Sequence, residues 1–201
     1  MGLWLASAPL VLASGSAVRR KLLEAAAIPV EVRPASLDER AAEASAPSNN
    51  PSAVAVLLAR AKALQVAKDV PGRLVVGADQ TLALGARRFD KPAHRAAARA
   101  QLQALAGRTH ELHAAVAVAR EEHVLFEHVA VARLTMRPLS DTFLDRYLDA
   151  AGTAVTASVG GYQLEALGVH LFERIEGDHF TILGLPLLPL LAYLRTEGSL
   201  A

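Results

Sequence analysis

The run Leu12-Ala13-Ser14-Gly15-Ser16-Ala17-Val18-Arg19-Arg20-Lys21 constrains the fold more than any other part of the chain, because a short apolar strand feeds a small polar turn and the turn opens a helix on three consecutive cations. Ser16 is a good N-cap for the helix that Leu22, Leu23 and the alanines to Ala27 imply. Arg19, Arg20 and Lys21 then fall in its first turns, where positive charge opposes the helix macrodipole by about 0.3–1 kcal/mol per residue. Arg19 also stands where a capping box would carry an acid. Two readings account for this placement. The cations are a solvated basic helix start, or they await an anion, since the free N–H groups of a small-residue turn, a helix N-terminus and a guanidinium fork together suit a phosphate.

At 201 residues, 52% of them hydrophobic, the chain supports one substantial core, in one or two lobes, and no linker divides it, so residues 1–201 read as a single domain. A formal net charge of +1 gives no electrostatic footprint for nucleic acid. With no cysteine there is no disulfide, thiol nucleophile or cysteine-bound zinc, which fits a reducing compartment. The apolar N-terminus, Met1 to Ala17, has no Lys or Arg in front of it, and cleavage there would damage the polar turn, so it reads as mature protein rather than a signal peptide. Leu183 to Leu194 is too short to span a bilayer and carries Pro186 and Pro189, and reads as a buried helix. No membrane partner is expected, and the cytoplasm is the expected location.

Strand patterns at Pro9–Ala13 and Val30–Arg33 flank the first helix. Ala41 to Asn50 is rich in Ala, Ser, Asn and Pro and reads as a mobile loop, after which Pro51 opens a helix to about Asp69. Val54, Leu57, Leu58, Ala61 and Leu64 follow helical spacing on it, with Lys62 at the edge of the stripe, its stem packed and its ammonium free to reach a cleft. Leu74 to Ala78 is a β-type run that places Asp79-Gln80 at its end, before a second run, Thr81 to Leu84. Phe89 to Pro92 reads as a turn ahead of an alanine-rich helix ended by Gly107. Thr109–Ala119 and His123–Leu134 form a hairpin about Arg120-Glu121-Glu122, and Ser140 caps a helix ended near Gly152. Gly160-Gly161-Tyr162 precedes Glu165, a strand near Val169–Ile175 and the C-terminal helix. Strands and helices in this order predict an α/β protein with a mixed sheet.

Several chemistries are excluded. There is no P-loop and no dinucleotide-binding glycine fingerprint, and Thr156 to Gly160 lacks the first glycine of a nucleophile elbow. His110 and His113, three apart on a predicted strand, point to opposite faces and make a poor metal pair. What remains is a scattered set of cations and carboxylates, Arg19, Lys62 and Lys91 against Glu39, Asp79 and Glu165, each with an ordinary surface reading taken alone.

Their joint pattern resembles the Maf family of nucleoside triphosphate pyrophosphatases over nearly the whole chain. The matching pieces are the Leu-Ala-Ser-Gly-Ser turn with Arg19, Asp38-Glu39, Ala61-Lys62-Ala63, Gly77-Ala78-Asp79-Gln80, Lys91-Pro92, Gly107-Arg108-Thr109-His110, and Glu176-Gly177-Asp178 followed by Gly184-Leu185-Pro186. The resemblance implies an ITPase/Maf-like α/β fold of two lobes, with a twisted mixed sheet flanked by helices and a central cleft, in a chain that usually forms a homodimer. It implies hydrolysis of a nucleoside triphosphate to monophosphate and pyrophosphate with a divalent metal, Mg²⁺ first, with Mn²⁺ or Co²⁺ as substitutes. By position, Asp79 matches the proton acceptor, Ser14, Arg19, Lys62 and Lys91 match phosphate-side residues, and Glu39, with Asp79, matches a metal-holding carboxylate. Val18, Gln80 and Glu165 occupy the positions that separate subgroups by nucleotide. Gln80 and Glu165, and the Gly168 to Gly177 run, resemble the subgroup that hydrolyses 7-methyl-GTP. An ionised Glu165 answers the N1–H and N2–H donors of a base that carries delocalised positive charge. Val18 replaces the Trp usual there, which removes a cation–π contact worth about 0.5–2 kcal/mol. A dTTP or UTP pyrophosphatase, and a nucleotide-binding regulator of cell division with little turnover, are the alternatives.

Overall fold

Apolar residues alternate between two faces along Leu10–Ala13 and Leu74–Ala78, and the structure fills both faces with helix. A computed structural model describes residues 2–44 and 48–201. In chain order the elements are β1 (Leu10–Leu12), α1 (Ala17–Ala25), β2 (Val30–Val32), α2 (Glu39–Ala44), α3 (Pro51–Ala67), β3 (Val75–Leu84), β4 (Arg87–Phe89), α4 (Arg95–Leu105), β5 (Thr109–Arg120), β6 (His123–Met136), α5 (Asp141–Ala151), β7 (Phe172–Glu176), α6 (His179–Ile182) and α7 (Leu187–Glu197), with short three-ten turns between α5 and β7. The strands form one mixed sheet in the order β2-β1-β3-β5-β6-β7, with β4 beside β3. β1 runs parallel to β2 and to β3, whereas β4 is antiparallel to β3 and β7 to β6. The protein is α/β with a mixed sheet flanked by helices, as the sequence predicts.

Contacts divide the chain into two compact units. The first holds the residues up to Gln80, Ala114–Ala130 and His179–Ala201, and the second holds Thr81–His113 and Val131–Asp178. In the first unit Leu10, Leu12, Leu74, Val76 and Ala78 face Leu23 of α1 and Leu187, Leu190 and Leu194 of α7. Val11, Ala13 and Val75, one residue out of step, face Ala55, Ala59, Ala63 and Val66 of α3. The odd-numbered residues of β3 therefore look toward α3 and the even-numbered ones toward α7, as the two-residue period of a strand requires. In the second unit β4, α4 and α5 bury Phe89, Leu102, Leu105, Leu144 and Leu148, each fully buried leucine contributing roughly 1.5–3 kcal/mol.

Four local expectations are corrected. Residues 41–44, expected in a mobile loop, lie in α2, which packs on α3, while residues 45–47 of that expected loop fall outside the described residues. Asp79 and Gln80 do not end a strand, because β3 runs through them to Leu84. The buried stripe of α3 is Val54, Ala55, Leu58, Ala59, Ala63, Val66 and Ala67, rotated off the expected one so that alanines meet the sheet. Gly77 is the reason, since a Cβ there would lie 2.1 Å from the carbonyl oxygen of Ala59, and only the glycine lets helix and strand approach this closely. Finally, the C-terminal helix begins at Leu187 rather than Leu183 because Pro186 takes its N-cap position, and Pro189 is tolerated in the first turn, where its missing N–H costs nothing.

Candidate active site

The three cations at the start of α1 separate into two kinds. Ser16 caps the helix, its Oγ accepting the amide of Arg19 at 3.4 Å. Arg20 is solvated and pairs with Glu24 one turn on, 3.7 Å away, and Lys21 is exposed. Arg19 instead turns inward. Its Nε donates to the carbonyl of Gly184 at 2.8 Å, and its Nη1 donates to the carbonyl of Ala78 at 2.8 Å and to Ser14 Oγ at 3.1 Å. Nη2 makes no hydrogen bond among the described residues. Desolvation by burial lowers the pKa of the guanidinium while Asp79 and Glu39 pull it back up, and an arginine stays charged throughout. Ser14 is 8% exposed, and its Oγ also accepts the amide of Ser16 at 3.3 Å.

Strand alternation places Asp79, two residues after Gly77, on the face that meets α3. Lys62 of α3 lies beside Ala63 there, and its Nζ donates to Asp79 Oδ1 at 2.6 Å. The same ammonium reaches Glu39 Oε1 at 2.7 Å, carried to it by α2. The side chains of Lys62 and Asp79 are 12% and 10% exposed, against 53% for Glu39, so a largely desolvated ion pair opens to solvent on the Glu39 side. Two carboxylates thus converge on one cation. Such hard oxygen donors are what Mg²⁺ takes, so Asp79 and Glu39 fit a divalent ion. With Arg19 the four formal charges cancel, and binding a polyphosphate needs further positive charge.

Gln80, next in β3, faces the other way, and its Nε2 donates to the carbonyls of Thr181 at 3.1 Å and Ile182 at 3.0 Å. Val18 lies half-buried on α1. The structure therefore brings together Ser14, Arg19, Glu39, Lys62 and Asp79 in the first unit, with Gln80 joined to Arg19 through the Gly184 turn. Lys91 and Glu165 belong to the second unit. Both are exposed, and neither makes a hydrogen bond or ion pair among the described residues. Glu165 sits in a tight loop closed by the amide of Gly168 donating to the carbonyl of Gln163 at 3.0 Å, an approach that a Cβ on Gly168 would block at 2.3 Å.

Sequence reasoning assigned no role to Gly77, Ala78 or Gly184. All three lie within the motifs of the resemblance, and the sequence signal at Gly184 is a glycine two residues before Pro186, where the structure has φ at +85°. His110 is also put to unforeseen use. It is fully buried in the second unit, its Nε2 2.7 Å from the Tyr162 hydroxyl, and burial lowers its pKa to about 4 while raising that of Tyr162.

Comparison with known proteins identifies the family. Residues 9–197 fit the family described as Maf-like protein. A nucleoside triphosphate pyrophosphatase of Nitrobacter winogradskyi and another of Bradyrhizobium diazoefficiens are each 58% identical over 201 residues, covering all of both chains. A 7-methyl-GTP pyrophosphatase of Mesorhizobium japonicum is 51% identical over 193 residues, 95% of this chain and 97% of its own. With the matched span running from β1 to the end of α7, the chain belongs to the Maf family.

Proposed function

We propose that the protein is a nucleoside triphosphate pyrophosphatase that cleaves 7-methyl-GTP between its α- and β-phosphates, with Mg²⁺, in the cytoplasm. The hydrolysis of an acid anhydride rests on the family and on relatives at 51–58% identity that carry pyrophosphatase names. The observation that carries the chemistry is Asp79, 7% exposed and flanked by cations, with Oδ1 held by Lys62 and Oδ2 without a hydrogen bond among the described residues. Oδ2 is the atom that takes a proton from the attacking water as its oxygen bonds to phosphorus. The bridging P–O bond breaks in the same displacement, and pyrophosphate departs with the bonding pair. Arg19 and Lys62 offset charge on the phosphate oxygens, where developing negative charge makes preorganised donors most effective. Ser14 accepts from Arg19, which leaves its hydroxyl hydrogen for the substrate. Glu39 and Asp79 would hold the divalent ion, which supplies Lewis acidity and charge neutralisation when bound. Lys91 adds a further cation by its match to the family pattern.

The choice of base rests on Glu165, whose exposed carboxylate has no partner among the described residues and suits a cationic base with two N–H donors. The 7-methyl-GTP name of the Mesorhizobium relative supports it. Val18 favours a second reading, a dTTP or UTP pyrophosphatase, because an aliphatic side chain has no cation–π preference for a methylated purine. Pyrophosphate release across 7-methyl-GTP, GTP, UTP, CTP and dTTP tests both readings. Preference for 7-methyl-GTP, lost on Glu165→Gln, is the expected result. Preference for UTP or dTTP moves the protein to the second reading. Turnover in Asp79→Asn equal to that of the unaltered protein removes the assigned role of Asp79.

A further inference from the structure

The family resemblance links Gln80 to the choice of nucleotide, yet its amide is already engaged. Both Nε2 hydrogens go to backbone carbonyls, those of Thr181 and Ile182, at the C-terminal end of α6, and the Thr181 carbonyl also accepts the amide of Gly184 at 3.0 Å. Two residues on, the chain turns through Gly184 with φ at +85°, and the carbonyl of Gly184 accepts Arg19 Nε at 2.8 Å. A Cβ on Gly184 would lie 3.3 Å from Arg19 Nη2 and 3.5 Å from Gln80 Oε1, so both side chains rest on this one residue. Arg19 is tied on its other side to the carbonyl of Ala78, one residue before Asp79. Three of its five N–H groups are thus held by the protein, leaving the two on Nη2.

We propose that Gln80 and Gly184 are positioning residues for Arg19, in which the Gln80 amide pins the 181–184 turn to β3 so that the Gly184 carbonyl fixes the guanidinium with Nη2 left for substrate phosphate. This rests on Arg19 binding phosphate, as under Proposed function. Gln80 then acts through the phosphate side of the substrate, and its loss weakens every nucleotide alike. The opposite faces of β3 support this, since Gln80 points away from the Asp79 and Lys62 pair.

The probe is inorganic tripolyphosphate, which has no base, titrated calorimetrically into the full chain, alongside kcat/KM for 7-methyl-GTP and UTP. Gln80→Met keeps the length of the side chain and removes its donors. It is expected to weaken tripolyphosphate by about tenfold, the lower end for hydrogen bonds to a charged group, and to lower kcat/KM for both nucleotides by the same factor. In an Arg19→Lys background the same change is expected to cost less than twofold, because no fork remains to be positioned. If Gln80→Met does not fold, Gly184→Ala, strained at its positive φ and crowding Nη2, is expected to show the same losses. A change in the ratio of 7-methyl-GTP to UTP, or an undiminished loss in the Arg19→Lys background, overturns the proposal in favour of direct reading of the base. If Arg19→Lys itself leaves tripolyphosphate affinity unchanged, the phosphate-binding reading of Arg19 fails first, and this proposal fails with it.

Discussion

Replacement of Gly77 tests the link between packing and chemistry most directly. A Cβ there lies 2.1 Å from the carbonyl oxygen of Ala59 and 2.6 Å from the amide nitrogen of Ala63, both backbone atoms of α3. Backbone cannot swing aside as a side chain does. To restore even 3.0 Å at Ala59, helix and strand must separate by about 0.9 Å. Overpacking of this kind typically costs about 1–3 kcal/mol. At roughly 2–4 °C per kcal/mol for a chain of this size, Gly77→Ala is expected to lower Tm by roughly 2–12 °C. The same displacement acts on the site, because Lys62 rides on α3 and its Nζ sits 2.6 Å from Asp79 Oδ1. A misplacement of about 1 Å can cost on the order of 10²-fold in rate, so turnover is expected to fall by about 10- to 100-fold where the variant is fully folded. Calorimetric unfolding gives the first quantity, and pyrophosphate release well below Tm, with circular dichroism confirming the fold, gives the second. A Tm and a turnover both equal to those of the unaltered protein would refute the packing argument. A lowered Tm with full turnover would show that α3 yields without carrying Lys62 away from Asp79.

Three further outcomes are expected. His110 has its pKa lowered by burial to about 4 from an ordinary 6.5, so the unfolded chain binds a proton that the folded one refuses; its contribution is complete above pH 6.5 and declines as pH falls toward 4, by about 3 kcal/mol in all, and urea titrations of His110→Phe should lack that part of the slope. Ser16→Ala removes the acceptor of the Arg19 amide and should cost about 0.5–2 kcal/mol by chemical denaturation, an unchanged midpoint being evidence that Ser16 does not cap α1. Lys62→Met frees Asp79 and Glu39 from their shared ammonium, so Mn²⁺ titrated into the nucleotide-free protein and followed by electron paramagnetic resonance should bind about tenfold more tightly, whereas equal affinity would mean that the lysine does not compete for these carboxylates.

The first helix, its Ser16 cap, the hairpin about Glu121 and the Ser140 cap were all legible in the sequence, because each is announced by residues next to it in the chain. α2 was not, since six residues with none buried have no apolar stripe to show. The face of α3 was misjudged for a different reason. Hydropathy ranks Leu57 and Leu64 above Ala55, Ala59, Ala63 and Ala67, but the sheet opposite offers Gly77, and close packing there needs small residues on both sides. The same blindness to long-range fit split β3 at Asp79. A carboxylate and an amide in the middle of a strand look like its end, because a buried strand with polar residues needs partners that lie elsewhere in the chain: Lys62 comes from 17 residues before Asp79, and the carbonyls of Thr181 and Ile182 from 101 and 102 residues after Gln80.

Continuity of that strand has a functional consequence. Had β3 stopped at Ala78, Asp79 and Gln80 would share one rim, free to serve as neighbours in a single site. Because it continues, the pleat sends them to opposite faces, and adjacent residues take different duties. Asp79 meets the ammonium of α3 on one face. Gln80 secures the turn that braces Arg19 on the other, and the Ala78 carbonyl between the two layers accepts from the same guanidinium. Asp79 and Arg19 are thereby registered to one another through a single strand, and a change on either face of β3 reaches the other through hydrogen bonds of 2.6–3.1 Å rather than through a flexible loop.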